Sequence, residues 1–190
     1  MKSALKRIAE SAMLVAIGTV LSLFKFEWAL GGGITVCSML PLIMITQRYG
    51  TKWGILSSLV YSVIQMFLGM SYVQCATTFW SAAGIVFLDY ILAYTIIGFS
   101  ACFNKVVSDR RKAIVLGIAV TFLGRFMCHF LSGIIIWDGL FPNELGWAAP
   151  LWSLAYNASY MLPEIIITSV VAYLSYKPLK RFWLCKDTVR

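Results

Sequence analysis

Charge is scarce in this sequence: only 13% of its 190 residues are Asp, Glu, Lys or Arg, and His129 is the single histidine. Soluble domains carry about 25% charged residues, so a water-solvated globule is excluded. Five cysteines (Cys37, Cys75, Cys102, Cys128, Cys185) without a CxxC pair, together with one histidine, give neither a metal-ligand set nor a disulfide framework. They read as small apolar fillers. Neither an HExxH motif nor a serine-hydrolase elbow is present, and Gly50-Thr51-Lys52 lacks the rest of a phosphate-binding loop. Linkers, low-complexity tracts and evident repeats are missing too, so residues 1–190 are expected to form one domain without a cofactor or a soluble ATP-hydrolysing part.

Apolar residues are what the chain has in abundance: 60% of the total, with a mean hydropathy of +0.81. A crossing of a bilayer takes about 20 apolar residues. Nearly uninterrupted apolar segments run over residues 8–26, 34–47, 53–70, 78–104, 113–137 and 150–176. The expected fold is therefore an all-α integral membrane bundle of six spans, with both termini on one side. The second segment is short for a span, which calls for tilt, burial in protein or locally thin membrane.

A net charge of +8 invites a nucleic-acid reading, but the placement of the bases argues for topology instead. All but two of the 16 basic residues precede the first segment or follow the second, fourth and sixth; Lys25 and Arg125 are the exceptions. The alternate loops hold Glu27, Asp138 and Glu144. The positive-inside rule then predicts cytoplasmic termini and basic loops in a multi-pass cell-membrane protein, of the bacterial plasma-membrane kind. A cleaved signal peptide over residues 1–33 would break this alternation, and no small-x-small cleavage site follows. The Gly31–Gly33 and Trp147–Pro150 stretches fall in the opposite loops, where they allow tight turns and a mobile lid.

Ionisable groups inside spans cost at least about 2.5–3.5 kcal/mol each and mark function or a partner. At a rise of 1.5 Å per residue, Asp89 lies roughly 16 Å down the fourth segment, with His129 about 12 Å and Arg125 about 18 Å down the fifth. Asn157 lies roughly 10 Å into the sixth, below Trp152. Arg125, His129, Gly133 and Trp137 recur every four residues and form one slowly rotating stripe. Trp152, Tyr156 and Asn157 offer a similar face on the sixth. An acid, an imidazole, an amide and several aromatic rings at one depth suit a flat, heteroaromatic, cationic solute, held by stacking, cation–π attraction and a counter-charge. The structural alternative is that Asp89 pairs with Arg125, His129 bonds a neighbouring helix and the tryptophans belong to an interfacial belt. Glu164, after Pro163, reads as structural or as part of a coupling element. Ala12 and Ala16 make a small-xxx-small step that lets another helix approach. Asn157-Ala158-Ser159 is a chance match to a glycosylation sequon within a span.

Along nearly its whole length the chain resembles the thiamine-specific S-component family (ThiT/YuaJ) of energy-coupling factor (ECF) vitamin transporters. The matching stretches are AMLVA (12–16), SMLP (38–41), RYGTKWG (48–54), DYILAY (89–94), GRFMCHFLSGIIIW (124–137) and LWSLAYNASYMLPE (151–164). The resemblance implies a six-helix subunit that captures thiamine at its outer face and works with a membrane coupling protein and two cytoplasmic ATPases. It implies that Asp89, Tyr90, Arg125, His129, Gly133, Trp137 and Asn157 bind the vitamin, with Trp152 beside them and Trp28 from an outer loop. It assigns Ala12 and Ala16 to the coupling-protein interface. The chain has Asp89 where the family typically has glutamate, and Trp152 where it often has tyrosine. The competing expectations are a stand-alone secondary transporter of another organic cation, with Asp89 as a proton-coupled counter-ion, and an intramembrane enzyme using His129 and Asp89, for which no nucleophile is apparent.

Overall fold

The computed structural model describes residues 2–27 and 30–185. Helix α1 (Lys2–Leu23) is followed by a two-stranded hairpin, β1 (Lys25–Glu27) against β2 (Gly33–Thr35), antiparallel with Phe26 opposite Ile34. Helices α2 (Leu40–Tyr49) and α3 (Thr51–Leu68) are joined through Gly50, whose φ of 87 is a left-handed conformation that suits a residue without Cβ. After a one-turn helix, Met70–Gln74, come three long helices: α4 (Phe79–Lys105), α5 (Arg110–Leu140) and α6 (Ala149–Tyr176), and then a last turn over Lys180–Trp183. Thr78 and Ser81 close a capping box at the start of α4, and Asp109 caps α5 by accepting from the Arg111 N–H at 2.9 Å.

The three long helices are each long and apolar enough to cross a membrane. The burial pattern is that of a protein bathed in lipid. Ile135, Ile166 and Leu174 stand outward at 69%, 62% and 65% exposure, while Ser58, Ser62, Asn157, Glu164 and Thr168 are buried. The second apolar segment departs from the helix expected over 34–47. Its first residues pair in the hairpin, Cys37 turns the chain with φ 58, and only Leu40–Tyr49 is helical. Ten residues reach about 15 Å, half the hydrocarbon thickness. Leu42, Ile43 and Ile45 are fully buried against Tyr61, Ile97 and Ile118, so α2 is a core element enclosed by protein.

One end of the bundle is pinned by a polar knot. Arg48, with a fully buried side chain, donates to Glu10 of α1 at 2.6 Å and to the carbonyl of Phe182, whose ring lies 4.0 Å from its guanidinium. Trp53 Nε1 donates to Ser11 Oγ at 2.7 Å, and Arg7 covers the Trp53 ring at 4.2 Å. These contacts set the spacing of α1 and α3.

Candidate functional site

At the other end, two helices leave regular α-geometry. The turns over Ile85–Leu92 in α4 and Gly133–Trp137 in α5 are π-helical. Wider turns of this kind re-aim side chains and recur at functional sites. Asp89 sits in the first of them. Its Oδ1 is 2.9 Å from His129 Nδ1, and its Oδ2 accepts from Ser132 Oγ at 2.7 Å and Trp137 Nε1 at 2.8 Å. A π turn rotates less per residue than an α turn, so the second π segment swings Trp137 back over the face that carries His129. In a regular helix, eight residues would turn the two apart. His129 Nε2, the ring nitrogen turned away from Asp89, has no partner among the described residues.

Asp89, Tyr90, His129, Gly133, Trp137, Trp152 and Asn157 all line one cavity of about 760 Å³ between α4, α5 and α6. That volume lies in the range of small-molecule sites. Its α6 wall is a run of rings, Trp152 and Tyr156 at 6.0 Å between centroids and Tyr156 and Tyr160 at 5.7 Å, with Trp147 of the preceding loop 6.3 Å from Trp152. Tyr72, from the short helix before α4, meets the edge of Trp137 at 6.3 Å. The Asn157 amide donates to the Ser153 carbonyl at 2.9 Å, and its oxygen accepts from Tyr160 O–H at 2.7 Å. Tyr90 O–H donates to the Gly69 carbonyl at 3.0 Å. At Gly133 a Cβ would overlap Ser153 Oγ, so this glycine lets α5 and α6 meet at the cavity floor.

Arg125 is placed differently from its expected site. It is absent from the cavity wall and lies buried beneath it, donating to Glu164 Oε2 at 2.9 Å with its guanidinium 4.9 Å from the Tyr94 ring. The partner of Arg125 is therefore Glu164, not Asp89, which is held by His129, Ser132 and Trp137. Glu164, only 2% exposed, also accepts a hydrogen bond from Thr35 of β2. The pair thus ties the hairpin to α5 and α6. The glycine loop of that hairpin reaches the cavity wall: a Cβ on Gly32 would run into the Tyr160 ring. Trp28 lies outside the described residues.

Sequence spacing missed several residues of the site, among them Ser132, which holds Asp89 without lining the cavity, and the lining residues Ser153 and Tyr160. Ser132 is one turn beyond His129, Ser153 one turn before Asn157 and Tyr160 one turn after it, spacings that share a helix face. Tyr94 is likewise one turn beyond Tyr90, whereas Tyr72 and Cys75 carried no comparable signal. Asp138 and Glu144 were read only as loop charges. Ala12 and Ala16 line a separate groove of about 580 Å³ between α1 and α3, walled also by Val15, Trp53 and Val60. Among the described residues no cluster of His, Cys, Asp and Glu is arranged to hold a metal.

Comparison with known proteins identifies the family. The family described as Thiamine transporter protein (Thia_YuaJ) matches residues 8–183. The thiamine transporter ThiT of Bacillus subtilis (strain 168) is 29% identical over 191 residues, covering 93% of each chain. A solved structure of ThiT from Listeria monocytogenes superposes with a TM-score of 0.77 at 22% identity, covering 96% of this chain and 99% of that one, a likeness of fold. With a family match over almost the whole chain and helices suited to lipid, the protein belongs to the thiamine transporter family, whose members are membrane transporters and not enzymes.

Proposed function

We propose that the chain is the substrate-binding S-component of an ECF-type importer and that it holds thiamine in the cavity between α4, α5 and α6. The observation that carries the reading is the Asp89 carboxylate, held by three donors at the base of an aromatic cavity in a member of this family. Asp89 balances the thiazolium charge or accepts from the aminopyrimidine. Trp137 and His129 stack on the rings, a cation–π contact being worth about 0.5–2 kcal/mol. Asn157 and Trp152 meet the hydroxyethyl end, Tyr90 closes the α4 side, and Gly133 lets α5 and α6 come together along the cavity. Arg125 supports the site from below through Glu164. The Gly31–Gly33 loop closes over the vitamin.

In this reading the six helices form one membrane domain with cytoplasmic termini and basic loops, α2 is sheltered inside the bundle, and the cavity opens to the outside. Ala12 and Ala16 receive the membrane coupling protein, and two cytoplasmic ATPases drive uptake. Titration of the purified chain with thiamine, followed by tryptophan fluorescence, tests the assignment, because Trp137 and Trp152 line the cavity. Saturable quenching at micromolar vitamin or below is expected; no response to thiamine, with a response to another solute, overturns it. Proton-driven uptake by vesicles holding this chain alone would favour a stand-alone secondary transporter instead.

A further inference from the structure

The rim of the cavity carries two carboxylates that the binding of a monocation does not require. Asp138 and Glu144 line it together with Asp89, so three of the chain's eight acidic residues face this one space, whereas no Lys or Arg among the described residues does. Neither rim acid joins an ion pair among the described residues. Asp138 occupies the last turn of α5, which ends at Leu140. A helix C-terminus carries partial negative charge and is stabilised by a base, so an unpaired acid there works against stability. Glu144 is carried by a loop that is braced from both sides. The Asn143 amide donates to the Trp147 carbonyl at 2.8 Å, and the Trp147 N–H donates to the Asn143 side-chain oxygen at 2.9 Å. The nearby buried cation, Arg125, is neutralised by Glu164 and lies below the cavity wall.

From this arrangement we infer that Asp138 and Glu144 are specificity determinants that draw in the free cationic vitamin and turn away its phosphate esters. The inference rests on the thiamine reading of the cavity. A phosphate on the hydroxyethyl arm brings up to two negative charges into a space that no Lys or Arg among the described residues lines, whichever way the ligand lies. Near the rim it also meets like charge from Asp138 and Glu144. The same two carboxylates raise the local concentration of a monocation and hasten its capture, an effect that salt screens.

The test compares thiamine with thiamine monophosphate, by tryptophan fluorescence at low and high salt, on the wild-type chain and the Asp138→Asn/Glu144→Gln double variant. A thermal melt checks that the variant is folded. The wild type is expected to prefer thiamine. The double variant is expected to narrow that preference at least about threefold at low salt and less at high salt. Glu144→Lys is expected to narrow it further by tightening the ester. An unchanged ratio in both variants, with thiamine still bound by the wild type, overturns this proposal alone. A wild-type chain that binds neither compound overturns the thiamine reading and this inference with it.

Discussion

Replacing Asp89 by Asn is the sharpest test of the cavity. The change keeps the side-chain volume but removes the charge, and it turns one of the two oxygens into a donor. Either His129 or the Ser132 and Trp137 pair then faces an N–H where it had an acceptor. Hydrogen bonds to a charged group contribute about 1.5–3 kcal/mol each. A monocation about 4–5 Å from the carboxylate gains roughly 4 kcal/mol at an effective dielectric of about 20. Desolvation of both charges offsets part of that gain, leaving about 2–3 kcal/mol, or roughly 30- to 150-fold in Kd. The assay is the fluorescence titration with thiamine on wild type and variant, with thermal melts in the same detergent to show that both are folded. Asp89→Glu, which restores the charge, is expected to stay within about tenfold of wild type. A folded Asp89→Asn protein whose Kd lies within threefold of wild type would refute the assigned role of Asp89.

Glu164→Gln leaves Arg125 as an uncompensated buried charge and should destabilise the fold by about 3–5 kcal/mol, read as a lowered Tm; Arg125→Met/Glu164→Met should cost less than either single change, and an equal or larger cost would remove the pair from that role. Gly133→Ala drives a methyl into Ser153 and should cost about 1–3 kcal/mol of stability, while Gly32→Ala strikes the Tyr160 ring and should speed thiamine release with little change in Tm. If Gly32→Ala leaves the release rate untouched, the loop does not close over the ligand. Bulky residues at Ala12 or Ala16 should fill the groove between α1 and α3, leaving thiamine affinity within about threefold and abolishing uptake in the presence of the partner subunits; normal uptake would exclude the groove as their docking surface.

The membrane character and the polar stripe were legible because both rest on one-dimensional signals: long apolar runs, and a four-residue recurrence from Arg125 to Trp137. What the sequence could not give was the rotation of each side chain about its helix. Depth arithmetic put Asp89, Arg125 and His129 in one band, yet Arg125 points beneath the cavity to a residue read as ambiguous, Glu164. The π turns are invisible to any fixed period, and they are what brings Trp137 to Asp89. For the second segment the sequence left tilt, burial in protein and thin membrane open, because a run of apolar residues looks the same whether lipid or protein covers it. Ile34 belongs to a strand, and Leu42 and Ile43 are enclosed. Tyr72 and Cys75 reach the cavity from a connection between helices, where spacing carries no facing information.

The knot around Arg48 makes the beginning and the tail of the described chain a single mechanical part. Its guanidinium grips Glu10 on one side and the Phe182 carbonyl on the other, and Trp183 is stoppered fully out of reach of solvent beside Tyr176. A neighbour that leans on the exposed side of α1 therefore loads the final turn as well, and a chain clipped after Tyr176 would slacken the very helix on which such a neighbour would have to press.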